Sequence, residues 1–444
     1  MVYFSAVTQV TPPYSFLPQL CLPRTIFAPT PLAQPILIFR ENHHRTMYSK
    51  ATFPMLFLFL ALLVGCSQAP PIHGYITLDA KGEWKPTVYL VDPKTWDGIA
   101  ASFVGVVLDS AAIGQDGHFA FEKMPDSPAP TLFELVIQKK AEANYPNRLN
   151  NENPGTSNYF PIVYKNGETV CVRGEAAQLQ RSLSMKKPSA ENASMLQLRD
   201  ARQAAYDQFL GQKKEGEHDA SALLDEEKAV LAYKQAIMDF AEQTPHLLPA
   251  LVAARWVSVE GDYERIPEFI VAQAERWQKE APQHPWVAQL AAKADRKSLP
   301  VLVGDVLPDY PMPLLSDDTI GLHVLLKGKK LILLDLWASW CAPCRKENRG
   351  TLVPLYEKYS GVGFQVVGYA LEASNAPWAA AIEKDGVGRW PHASDLQGDE
   401  SPLFKELRMT TIPANFLLDE NGKVLAKNLH GEELVKWVEG YFNK

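Results

Sequence analysis

Two cysteines spaced Cys341-Ala342-Pro343-Cys344 are the residues in this chain most able to do chemistry. They follow an apolar run, Leu331–Trp337, of strand length, and they open a stretch with helical spacing. A thiol at a helix N-terminus faces unpaired N–H groups that stabilise an anion, so it ionises more readily than a free thiol. The second thiol sits one turn on, within disulfide reach, and Pro343 suits a first turn where its missing N–H costs nothing. Other uses of such a pair fit less well. Half of a zinc site needs a second Cys or His pair nearby, haem attachment needs His where Arg345 stands, and a four-residue loop gains little from closure as a structural disulfide. Thiol–disulfide redox chemistry is what remains.

The elements that must position this pair lie between residues 300 and 444. A helix is expected from about Ala342 to Tyr359, then strand Phe364–Tyr369, helix Ala376–Asp385, a short strand near His392 and helix Pro402–Leu407. A hairpin follows, Asn415–Leu418 and Val424–Lys427 around Asp419-Glu420-Asn421-Gly422, and then a last helix Gly431–Tyr441. Alternating strands and helices imply a mixed sheet covered on both faces.

Upstream, residues 71–175 read as a β-sandwich. Ile72, Gly74, Ile76 and Leu78 alternate with polar positions, as do Val88 with Leu90, Phe119 with Phe121, and Phe133, Leu135 with Ile137. Asp116-Gly117 and Asn166-Gly167 supply tight turns, and Ala141–Tyr159 reads as a loop. Residues 176–299 read as a helical spacer with apolar faces such as Val230, Tyr233, Ile237 and Phe240, and with Pro245, Pro249, Pro282 and Pro285 at helix ends. Cys171 falls on the face of a strand opposite Val170 and Val172 and is expected to be a structural thiol.

The 444 residues carry 44 Lys and Arg against 51 Asp and Glu, a net charge of −7, which argues against a nucleic-acid partner. Five cysteines are too few for a disulfide scaffold. Residues 1–46 are Pro-rich with no sustained period and read as an over-long start to the reading frame, which leaves Cys21 uninformative. From Met47, Lys50 and the apolar run Ala51–Val64 describe a secretory signal too short to span a bilayer. Its end, Leu63-Val64-Gly65-Cys66, resembles the lipobox of bacterial lipoproteins. That resemblance implies a signal peptide over 47–65, lipidation at Cys66 and a tether over 66–70. Several acyl chains hold a protein on a membrane durably.

The segment Asp335-Leu-Trp-Ala-Ser-Trp-Cys-Ala-Pro-Cys-Arg-Lys-Glu347 resembles the TlpA/ResA-like thiol–disulfide oxidoreductases of thioredoxin fold. So do Gly304-Asp-Val-Leu-Pro-Asp309, Thr411–Asp419 and Asn421-Gly422-Lys-Val424, so the resemblance runs from about Val303 to the C-terminus. The β domain more weakly resembles a domain of unknown function found ahead of such thioredoxins in Bacteroidetes lipoproteins. The resemblance implies Cys341 as attacking thiolate and Cys344 as resolving thiol. It matches Asp335 to a buried acid that relays the proton of Cys344, the alternative being a structural acid paired with Lys329. Glu347 matches an acidic position near the active site, the alternative being a solvated helix face. Pro413 matches the cis-proline, which leaves the backbone of Ile412 free for an extended substrate and excludes metal, the alternative being an ordinary trans proline. Trp337 reads as core and Trp340 as docking surface. Where relatives carry Pro five residues after the second Cys this chain has Arg349, and Gly350 and Pro354 follow, so the helix is expected to be interrupted or its kink displaced.

The expected whole is a multidomain, lipid-anchored, periplasm-facing protein of the bacterial envelope. Its β-sandwich and helical spacer precede a C-terminal α/β thioredoxin fold. It exchanges disulfides with envelope proteins, in the reducing direction as in cytochrome c maturation, takes electrons from a thiol-type donor in the membrane, and needs no cofactor or metal. A peroxidase on the same fold lacks its Pro-x-x-x-Thr-x-x-Cys pattern here. A binding or scaffold lipoprotein with secondary redox activity is the other alternative.

Overall fold

The computed structural model describes residues 69–99, 105–142, 153–211, 220–259 and 261–443. The expected signal peptide, Cys66 and Cys21 lie outside the described residues.

Upstream the chain forms eight strands. They are β1 (Ile72–Thr77), β2 (Trp84–Asp92), β3 (Val106–Ala112), β4 (His118–Phe121), β5 (Thr131–Lys139), β6 (Tyr159–Tyr164), β7 (Val170–Glu175) and β8 (Ser184–Met185). Buried residues alternate in β1, β4 and β7 among them. They form two four-stranded sheets, ordered β4-β1-β7-β8 and β3-β2-β5-β6. Pairing is antiparallel except between β1 and β7. Gly117 and Gly167 take positive φ in the expected turns, a region closed to most side chains. Val170 and Val172 are buried, while Cys171 between them is half-buried and free. Edge strand β6 carries Pro161 and is buried along its whole length.

Six helices follow: α1 (Leu179–Ser182), α2 (Ala190–Ala205), α3 (Ala220–Gln243), α4 (Leu247–Val257), α5 (Pro267–Glu280) and α6 (Pro285–Lys293). Asn192 of α2 pairs through its amide with both main-chain groups of Val163, so a side chain closes part of the open edge of β6. Pro249, expected at a helix end, lies in the first turn of α4, where a missing N–H breaks no bond. One hydrophobic core runs from Ile72 to Leu302 and includes both sheets and the helices. The indole of Trp96 donates to Leu251 O at 2.9 Å and that of Trp256 to Tyr159 Oη at 2.7 Å.

The remaining residues give β9 (Pro311–Pro313), β10 (Thr319–Gly321), α7 (Leu322–Leu326), β11 (Leu331–Trp337), α8 (Ala342–Glu347) and α9 (Val353–Tyr359). Then come β12 (Phe364–Ala370), α10 (Asn375–Asp385), β13 (His392–Ala393), α11 (Pro402–Leu407), β14 (Ala414–Leu418), β15 (Val424–Lys427) and α12 (Gly431–Phe442). The sheet is ordered β13-β12-β11-β14-β15, with β11, β12 and β13 parallel and β14 antiparallel to β11, which is the thioredoxin fold. Every residue of β11 is buried, as a central strand covered on both faces requires. The expected single helix from Ala342 is interrupted: a π-helical turn, Asn348–Leu352, joins α8 to α9. Arg349 and Gly350 form that turn, and Pro354 falls in the first turn of α9. A second core spans Leu307 to Val438. Residues 67–444 form one compact unit.

Candidate functional site

β11 delivers the chain to its carboxyl end at Trp337, and a turn through Ala338–Trp340 hands it to α8. Cys341 is the N-cap of α8, and its Sγ accepts the Cys344 N–H at 3.3 Å. Cys341 and Cys344 form a disulfide with Cα atoms 5.3 Å apart. Cys341 keeps 5% of its surface exposed and Cys344 2%.

Two buried carboxylates fix the turn before the cysteines. Glu372, just beyond β12, accepts from the main-chain N–H of Ser339 and from its hydroxyl at 3.0 Å. Asp385, at the end of α10, is bidentate to Arg345, which also donates to Ser339 O at 3.1 Å. Arg349 joins the same carboxylate at 2.5 Å. Trp337 is buried, whereas Trp340 is 63% exposed and its indole donates to Leu371 O at 3.3 Å.

Asp335 lies in mid-β11, opposite Gly368 and Asn415, and is buried. Among the described residues no ion pair joins it to Lys329. Burial pushes its carboxyl well above the usual range, and the charge of Glu347 adds to that push. Glu347 is not on a solvated helix face. It is buried, its Oε2 is 2.7 Å from His430 Nδ1, and its Oε1 accepts the Gly431 N–H at 3.1 Å. It therefore serves the exposed N–H groups at the start of α12.

The peptide bond between Ile412 and Pro413 is cis. Pro343, Ile412 and Pro413 line one cleft, so the loop before β14 and the first turn of α8 come together. The helical region meets the same loop. Glu264 accepts from the N–H and hydroxyl groups of both Thr410 and Thr411, and Arg265 donates to Pro413 O at 3.0 Å. Neither Glu264 nor Arg265, nor Glu372 and His430, stands out in the sequence. Their partners lie 33 to 148 residues away, and no local spacing announces them. His392 is a further buried neighbour: its ring lies 5.6 Å from that of Trp337 and burial lowers its pKa to about 4.

Among the described residues no group of three or more His, Cys, Asp or Glu could hold a metal ion, and no helix is long and apolar enough to cross a membrane.

The Redoxin family matches residues 302–439. The thiol–disulfide oxidoreductase ResA of Bacillus thuringiensis subsp. konkukian is 30% identical over 143 residues, which is 32% of this chain and 78% of that protein. The thiol:disulfide interchange protein DsbE of Pseudomonas fluorescens biotype C is 25% identical over 136 residues, 31% of this chain and 71% of that one. Among solved structures, the thioredoxin domain of a thiol–disulfide oxidoreductase from Bacteroides vulgatus is 30% identical, with a TM-score of 0.29 and coverage of 32% of this chain and 98% of that one.

Proposed function

We propose, starting from the fact that this chain belongs through its C-terminal domain to the ResA-like thiol–disulfide oxidoreductases, that it reduces disulfides in envelope proteins through Cys341 and Cys344. The observation that carries the reading is the disulfide between those residues at the N-terminus of α8, beside the cis-proline loop.

The reduced pair acts in two steps. The Cys341 thiolate attacks a client disulfide, forms a mixed disulfide and displaces one client thiolate. Cys344 then gives up its proton and attacks the Cys341 sulfur. The second client thiolate leaves, and the pair is left as the disulfide. Two electrons pass from the pair to the client, and a thiol-type donor at the membrane restores them. The Cys344 N–H directed at Cys341 Sγ supports Cys341 as the nucleophile. A carboxyl buried in β11 with a raised pKa is suited to take the Cys344 proton, which is the role given to Asp335. Glu347 sets the charge around Asp335 and holds α8 to α12. Pro413 and Ile412 present the client-docking edge, with Trp340 beside it. Lipidation at Cys66 supplies the anchor and places the protein in the envelope, facing the periplasm.

The test is trapping. A Cys344→Ala variant in cells accumulates mixed disulfides through Cys341, which mass spectrometry of the disulfide-linked partners identifies. Recovery of no linked partner from Cys344→Ala, with Cys341→Ser as the blank, refutes the reading. Fast peroxide consumption by the purified protein would point to the peroxidase alternative.

A further inference from the structure

A cleft lies between the helical region and the cis-proline loop. The cleft holds about 380 Å³. Pro343, Ile412 and Pro413 form one wall. Leu223 and Leu224 of α3 and the turn Asp262–Arg265 form the other. The two walls are held in register by Glu264 and Arg265, which bond Thr410, Thr411 and Pro413, while Glu227 of α3 pairs with Arg265 at 3.0 Å.

Leu223 is 58% exposed within this wall, an apolar surface that lines the same cleft as Ile412 and Pro413. Trp340, the residue before Cys341, is exposed in the same way. Acids outnumber bases in the described lining of the cleft: Glu227, Asp262 and Glu264 stand with Arg265, Lys234 lies close enough to Asp262 to feel its charge, and Asp262 is exposed at the rim. Among the described residues none hydrogen-bonds the main chain of Ile412.

We propose that this cleft is the client-recognition site of the chain: an extended segment of the client polypeptide, next to the reacting cysteine, lies between α3 and the cis-proline loop with an apolar side chain on Leu223 and a cationic one at Asp262. The inference rests on the disulfide-exchange reading above and adds to it a source of selectivity outside the thioredoxin fold. An extended strand pairs with the free main chain of Ile412, and its side chains alternate between the two walls. Leu223 contributes by losing water, and Asp262 contributes by sign, so acidic clients are disfavoured.

The test uses the reduced full chain and three disulfides: a peptide disulfide with Leu and Lys beside the cysteine, its counterpart with Glu in place of Lys, and 2-hydroxyethyl disulfide, which is too small to reach α3. The wild type favours the Lys peptide over the Glu peptide by about 10-fold in kcat/KM. Leu223→Asp, a change at an exposed position, raises the KM for the Lys peptide by about 10-fold and leaves 2-hydroxyethyl disulfide exchange within about two-fold. Leu223→Ala gives a smaller rise of the same kind, and Asp262→Asn removes most of the charge preference. An unchanged peptide KM in Leu223→Asp, or an equal loss on peptide and small disulfide, overturns the cleft and leaves the exchange reading intact. Absence of exchange between the wild type and all three disulfides overturns that reading, and the cleft with it.

Discussion

Glu347 Oε2 and His430 Nδ1 are 2.7 Å apart and both side chains are buried, so the helix that begins with the redox pair is tied to the last helix of the chain. The same carboxylate accepts the Gly431 N–H. Glu347→Gln weakens a charge-assisted contact at the start of α12, and unfolding in urea becomes easier by about 1–3 kcal/mol. The variant also removes a negative charge that raises the pKa of Asp335. The rising limb of the exchange rate against pH therefore moves to lower pH. An unmoved limb would show that Asp335 does not set it.

Asp335 itself has a sign that ordinary surface carboxylates lack. Its folded pKa is above its unfolded one, because burial disfavours the charged form. The protonated group is well tolerated at low pH, and stability is lost as pH rises through the folded pKa. Asp335→Asn is accordingly more stable than the wild type at neutral pH, and the two stability curves converge below about pH 4. The same variant slows exchange by about 10-fold or more, since it cannot accept the Cys344 proton. Equal stability across the pH range would overturn this account.

Asp385 is fully buried and holds both Arg345 and Arg349. Asp385→Asn leaves two guanidinium groups without their carboxylate and frees the Ser339 turn. Loss of one member of such a pair costs about 3 kcal/mol. Chemical denaturation measures it, and a loss under about 1 kcal/mol would mean that solvent takes over the role.

His392 gives the opposite pH dependence to Asp335. Burial lowers its folded pKa to about 4, below the unfolded value. The stability it contributes is whole above about pH 6.5 and is lost as pH falls through about 4. His392→Asn flattens that acid decline in a series of thermal melts. A decline of unchanged steepness would assign it to other groups.

Much of the C-terminal domain was legible because its local signals agree. Leu331–Trp337 is a strand residue for residue, since an unbroken apolar run of that length, bounded by Lys330 and the cysteine turn, has few other uses. The cysteine pair and the cis-proline were found through their motifs. Elements without a pattern escaped. Strand β3 buries chiefly Ala111, and β6 contains a proline and is buried throughout, so neither alternates. The short hairpin β9–β10 was missed because three residues are too few for a period. Glu347 was placed at the site, but its burial depends on His430, 83 residues on, and the clamp from Glu264 to Thr410 spans 146. Contacts at such separations are set by packing of whole domains, which a window of sequence does not contain.

The wide turn at Asn348–Leu352 takes up one residue more than a regular helix would. Every position from Val353 onward is therefore rotated by about 100° relative to a helix running unbroken from Ala342. Paired without a gap against an uninterrupted homologue, the second half of this helix would have its inward face turned by a little over a quarter of a turn. The numbering from Val353 is one step out of phase with that before Asn348, so a chain one residue shorter within Asn348–Leu352 would be in phase with an unbroken helix.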